Sequence, residues 1–366
     1  MPVYTIIQYI VAVGVLIGGL DLLLGNRLGI GGRFLYGFDV FGKTVFTMIG
    51  IMSLAPTIAA ILGPIIVPIV SLFGIDPSIF SIIISCDMGG YQLAESLAES
   101  PRFSSLFGLT VASMSGAAIV FIIPLASAVL QGDVLQRDFY RGVLYGISTI
   151  PLAAVCSAVL LGFDAKTLVV SIAPILILSA TIIVCLIYIP KRTITAAQYF
   201  GRFIVKVGVV GIIIGFVSTL ADIEIPFPYY PIADSMRIAC DILIFLVGAL
   251  SLLEVLNRVL KKPITLVGER FGLSVVDTSG IAATMASCVP TVAMMKDMSH
   301  RGVVVNGAWT VTSSSIFGSQ MSFVLGIAPS FIAPFLISKF IAGFAGLLIA
   351  FYFTRNDSTV NAPSTA

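Results

Sequence analysis

Long apolar runs separated by short polar connections dominate the chain, and the runs match the roughly 20 residues a helix needs to cross a bilayer. Nine read as spans: residues 3–24, 45–73, 103–130, 140–162, 167–189, 201–220, 236–258, 302–326 and 328–353. Two further segments, 76–101 and 265–300, have the length of a helix hairpin but are interrupted by polar residues, Gly and Pro. Each reads as a re-entrant pair of half-helices, a form that survives at membrane depth only when buried in protein or lining a watery cavity. The first run lacks a basic leader and a small-residue cleavage site, so it is expected to be a retained span. The expected fold is therefore all-α and polytopic, about nine transmembrane helices plus two re-entrant broken-helix hairpins. A single transporter domain is expected over residues 1–355, with a disordered tail over 356–366.

Composition strengthens this picture. Of 366 residues, 58% are hydrophobic and 10% charged, and the mean hydropathy is +1.09, far from the balance of a soluble domain. A net charge of only +2 points away from nucleic acid as a partner and leaves the lipid bilayer as the environment. The distribution of charge sets the topology. Arg27, Arg33 and Lys43, then Arg137 and Arg141, Lys191 and Arg192, Arg258, Lys261 and Lys262, and finally Arg355 fall on one side if each hairpin enters and leaves on the same face. The positive-inside rule makes that side cytoplasmic, with the N-terminus outside and the C-terminus inside a cell (inner) membrane. The acidic connection 221–234, holding Asp222, Glu224 and Asp234, then lies outside. A homo-oligomer is compatible with the pattern.

The two odd segments resemble each other. "SCDMGG" begins at Ser85 and "SCVPTV" at Ser287, an offset of 202; "LTVASMSG" begins at Leu109 and "WTVTSSSIFG" at Trp309, an offset of 200. The repeat-related segments run over about 76–130 and 265–326. An odd number of spans separates the two copies, so the repeat is expected to be inverted, as in secondary transporters whose sites form where broken helices meet.

Candidate chemistry collects at the breaks. Asp76-Pro77 is a helix start, and Gly89-Gly90 a break, leaving the carbonyls of the preceding turn and the Asp87 carboxylate directed at one place. A carboxylate at bilayer depth costs about 2.5 to 3.5 kcal/mol and needs a partner. Two readings of Asp87 stand: it coordinates a cationic solute or ion, or it caps the second half-helix or pairs with a distant cation such as Lys296. Tyr91 and Trp309 could offer ring faces to an ammonium, though each also reads as a packing aromatic. Gln92, Asn306, Ser319 and Gln320 add neutral groups suited to a hydroxyl. Pro290 marks the second break, and Glu95, Lys296 and Asp297 read as gating or structural charges. Glu254 and Arg258 stand at i,i+4 and read as a structural pair.

The inventory for catalysis is thin. One histidine, His300, excludes a His-based metal centre, and no HExxH or GxSxG is present. No cofactor is expected. Cys86, Cys156, Cys185, Cys240 and Cys288 lack CxxC spacing and read as small buried thiols.

The stretches "LAPTIAAILGPIIVPI" (54–69), "SCDMGGYQLAESLA" (85–98) and "VPTVAMMKDMSHRGVVVNGAW" (289–309) resemble the EutH-type ethanolamine permease family over nearly the whole chain. The resemblance implies a polytopic inner-membrane permease for ethanolamine, a small ammonium with a hydroxyl. Where the family carries an Asp-His pair, this chain has Ser319 and Gln320, which bears on proton coupling and leaves room for another amino alcohol. The competing expectation is an ion-coupled permease for another small solute, such as a nucleoside or amino acid, with Asp87 holding the ion.

Overall fold

Apolar runs fold as helices in a bilayer because lipid offers backbone amides no partner and a helix satisfies them internally. The computed structural model describes residues 2–85 and 90–355, and all regular structure there is helical. Asp87 and Gly89, and the 356–366 tail, lie outside the described residues. In order come α1 (Val3–Leu23), α2 (Gly31–Ser71), a 3₁₀ segment (Pro77–Ile82), α3 (Tyr91–Leu97), α4 (Pro101–Val129), α5 (Asp133–Leu160) and α6 (Ala165–Tyr188). Then follow α7 (Pro190–Ala221), α8 (Ile232–Arg270), α9 (Val275–Thr284), α10 (Cys288–Met294), α11 (His300–Ser313), α12 (Ser319–Ile327) and α13 (Ile332–Thr354). Eight helices among the described residues are long and apolar enough to span a membrane. The chain is an all-α polytopic membrane protein.

Four sequence expectations need correction. The 302–326 span is not one helix: α11 ends at Ser313 and α12 begins at Ser319. Between them Ser315 turns left-handed at φ 54°, and the amides of Ser315 and Phe317 donate to the carbonyls of Thr284 and Met285 at 3.0 and 2.9 Å. Tertiary partners thus replace the helical ones, and a Cβ on Gly318 would collide with the Ala286 carbonyl. Residues 265–270 continue α8, so the second hairpin is α9–α10. In the first hairpin the arm beginning at Asp76 is a 3₁₀ segment ending at Ile82 rather than a half-helix reaching Cys86. Among the cysteines Cys288 is buried, Cys156 and Cys185 are half-buried and Cys240 is exposed on the apolar surface of α8, where a thiol meets lipid as readily as protein.

The element order repeats. Gly31 and Ile232, Pro77 and Val275, Tyr91 and Cys288, Pro101 and His300, and Asp133 and Ile332 open corresponding elements, at offsets of 197 to 201 residues. Helix α6 joins the two sets. Packing is reciprocal in one respect: α1 lies on α8 as α7 lies on α2, while α5 lies against both α11 and α13. Small residues bring these helices close, since a Cβ on Gly50 would strike the Gly208 carbonyl and one on Gly142 would strike the Val304 carbonyl.

Candidate functional site

Two buried carboxylates shape the hairpins. Asp76 accepts from the Ser78 amide at 2.9 Å, capping the 3₁₀ segment, and from the Glu99 amide at 3.0 Å, where the hairpin ends. Asp277 takes the Ser274 amide at 2.8 Å and the Ser299 amide at 3.0 Å in the second hairpin. Each carboxylate therefore ties the first arm of its hairpin to the exit, satisfying amides that would otherwise be unpaired in a buried setting. The Asp76-Pro77 start expected from sequence is formed.

The first hairpin then rests on α4. The Gly90 amide donates to the Gly108 carbonyl at 3.0 Å, and Ser85 lies against Gly116, leaving no room for a Cβ there. Helix α4 accommodates these contacts with wide π turns over Ser104–Gly116, a departure from α geometry that recurs at functional sites. The second hairpin's break instead pairs with the break between α11 and α12, as described above.

Helix α3 presents Tyr91, Gln92 and Glu95 to a cleft of about 210 Å³, completed by Met52, Pro56, Tyr230 and Ile327. The Tyr91 hydroxyl donates to Glu95 Oε1 at 3.4 Å. Burial, with the carboxylates of Asp234 and Glu95 adding to it, holds the Tyr230 phenol above its ordinary range, so it remains a neutral donor. Among the described residues the cleft thus offers one carboxylate, two phenols, a primary amide and the Ser96 hydroxyl. A second crevice of about 370 Å³, between α1 and α8, is lined by apolar side chains such as Ile10, Leu252 and Phe317 and has nothing with which to hold a charge.

Deeper along the same elements lies a polar node. Gln320, in the first turn of α12, donates from Nε2 to the Ser113 carbonyl at 3.0 Å, and its Oε1 accepts from Lys339 Nζ at 2.7 Å. Lys339 Nζ is also 3.5 Å from Ser113 Oγ and 5.3 Å from the centre of the Phe335 ring. Lys339 is fully buried, at 0% exposure. Six residues of α12 separate Gln320 from Gly326, which lines the cleft, a distance of roughly 9 Å at 1.5 Å per residue.

The expected site residues therefore divide. Tyr91, Gln92 and Glu95 meet in the cleft and Gln320 joins the node, with Ser319 buried beside it at the start of α12. Trp309 lies elsewhere: its Nε1 donates to the Ile281 carbonyl at 3.0 Å, and its ring packs on Phe344. Asn306 Nδ2 donates to the carbonyls of Asp277 and Gly302, both at 2.9 Å, tying α11 to α9. Pro290 stands in the first turn of α10, and Lys296 and Asp297 are exposed at the hairpin's exit. His300 meets Asp138 at 2.6 Å, joining α11 to α5. Sequence reasoning missed Lys339 and Tyr230. The signal for Lys339 is its standing as the one charge within the apolar run 332–354, which marks an intramembrane functional group.

Helices broken where they pass one another, a polar cleft and a buried node beneath it define the class: a membrane permease rather than an enzyme. The chain belongs to the EutH family, the ethanolamine utilisation proteins, whose family model matches residues 3–353. It is 32% identical to the probable ethanolamine permease EutH of Listeria monocytogenes serotype 1/2a (strain 10403S), covering 96% of this chain and 94% of the relative. It is 28% identical to the probable ethanolamine permease EutH of Salmonella typhimurium, covering 100% and 99%. An uncharacterized protein, YxeR of Bacillus subtilis (strain 168), is 32% identical over 98% of this chain and 97% of its own. No solved structure matches the chain significantly.

Proposed function

We propose that this protein takes up ethanolamine, or a closely related small amino alcohol, across the cell membrane. The observation that carries this reading is the cleft, where among the described residues one carboxylate, Glu95, stands with the neutral donors and acceptors of Tyr91, Gln92 and Tyr230. One negative charge with hydroxyl and amide partners suits a monovalent ammonium bearing a hydroxyl. The names of the Listeria and Salmonella relatives point the same way.

Asp87 at the break is a second carboxylate open to the ammonium beside Glu95, and Ser319 and Gln320 on α12 add neutral groups. The N-terminus lies outside, so the cleft, roofed by Tyr230 of the acidic connection, opens outward. From the start of α4 to the start of α11 the chain crosses the membrane five times, through α4, α5, α6, α7 and α8, and an odd number of crossings inverts the second unit relative to the first. Inverted units of this kind work by alternating access.

The test is uptake of labelled ethanolamine by cells expressing the protein, challenged with a panel of unlabelled solutes with and without sodium. Competition by amino alcohols alone, independent of sodium, is expected. Displacement by nucleosides or amino acids, or an absolute requirement for sodium, would move the assignment to an ion-coupled permease for another solute.

A further inference from the structure

A lysine ammonium and an amino-alcohol ammonium are the same chemical group, and the node already holds one of them. The Gln320 carbonyl oxygen at 2.7 Å, the Ser113 hydroxyl at 3.5 Å and the Phe335 ring at 5.3 Å surround Lys339 Nζ. Oxygen acceptors and an aromatic face are also groups that favour a free alkylammonium once it leaves water. Lys339 lies ten residues beyond Pro329, the start of the final span, hence about 15 Å deep at 1.5 Å per residue, close to the middle of a 30 Å hydrocarbon core. A cation there is costly and marks a functional group. The node's elements reach the cleft at both sides, through Gly326 and Ile327 of α12 and through Gly108 of α4, which packs under Tyr91.

We propose that Lys339 is a tethered competitor of the solute: its ammonium occupies the solute's inner ammonium subsite in this state and withdraws when the solute descends from the cleft. The inference rests on the amino-alcohol reading above and goes beyond it by assigning the subsite and its resident occupant. The tether ensures that Gln320 and Ser113 are never left without a cation, so the inward-to-outward return of the unloaded protein proceeds with the site filled. It also sets affinity, because a solute binds only the fraction of molecules in which the lysine has withdrawn. A lysine resident nine-tenths of the time raises the apparent Kd about tenfold.

The experiment is a calorimetric titration of purified protein with ethanolamine, paired with exchange and net uptake in proteoliposomes, on wild type, K339M and K339Q. Both variants are expected to fold, to bind ethanolamine about tenfold more tightly than wild type, and to exchange internal for external ethanolamine while losing most net uptake. Unchanged or weaker binding by folded variants overturns the proposal, since Lys339 would then hold the solute or do neither. Failure of both variants to fold overturns it equally, because a competitor is dispensable for the fold. Wild type that binds no amino alcohol at all is a different result: it defeats the transport reading itself, whatever the variants do.

Discussion

At the scale of single residues, the carboxylates divide by what they face. Asp277 spends its oxygens on the Ser274 and Ser299 amides and the Ser299 hydroxyl and is fully buried, at 0% exposure. Asp277→Ala would leave buried amides unpaired at about 1 to 3 kcal/mol each, so the purified variant is expected to melt several degrees lower than wild type; an unchanged melting temperature would contradict the anchoring role. Glu95 faces the cleft and is exposed, so Glu95→Gln is expected to raise the half-saturation concentration for ethanolamine uptake several-fold with little change in maximal rate, read from initial rates. Tyr91, Gln92 and Glu95 were legible in the sequence as neighbours because one short helix carries all three. Trp309 and Asn306 share a helix rich in hydroxyls, but their direction is set by the α9 carbonyls they bond, partners no local pattern announces. Lys339 is visible as a lone charge, yet its acceptors lie 19 and 226 residues away in sequence.

At the scale of elements, the hairpins were legible because their ends carry local signals, Asp76-Pro77 before the first and Gly89-Gly90 within it. The break between α11 and α12 was not. The run 302–326 holds no Pro, and its interruption at Ser315 depends on the Thr284 and Met285 carbonyls reaching the amides of Ser315 and Phe317. Gly318 permits this meeting, since an added Cβ would strike the Ala286 carbonyl. Gly318→Val is therefore expected to abolish ethanolamine uptake while the protein still reaches the membrane, as measured by transport assay alongside immunoblotting of the membrane fraction. Undiminished uptake would show that the joint between the two breaks is not needed for transport.

At the scale of the whole molecule, element starts recur at offsets of 197 to 201 residues, and α1 packs on α8 as α7 packs on α2, observations that reach beyond the two short similar segments in the sequence. The orientation has its own test. In a cysteine-free background, Glu224→Cys is expected to react with a membrane-impermeant maleimide on intact cells and Arg192→Cys only after permeabilisation; the reverse pattern would invert the topology. The central claim, that a cationic amino alcohol crosses at a carboxylate-bearing break, is tested most directly by labelled ethanolamine influx into proteoliposomes containing wild type or Asp87→Asn. Saturable influx with wild type, and influx no greater than that of protein-free liposomes with the variant, is the predicted result. Equal influx with both would contradict it.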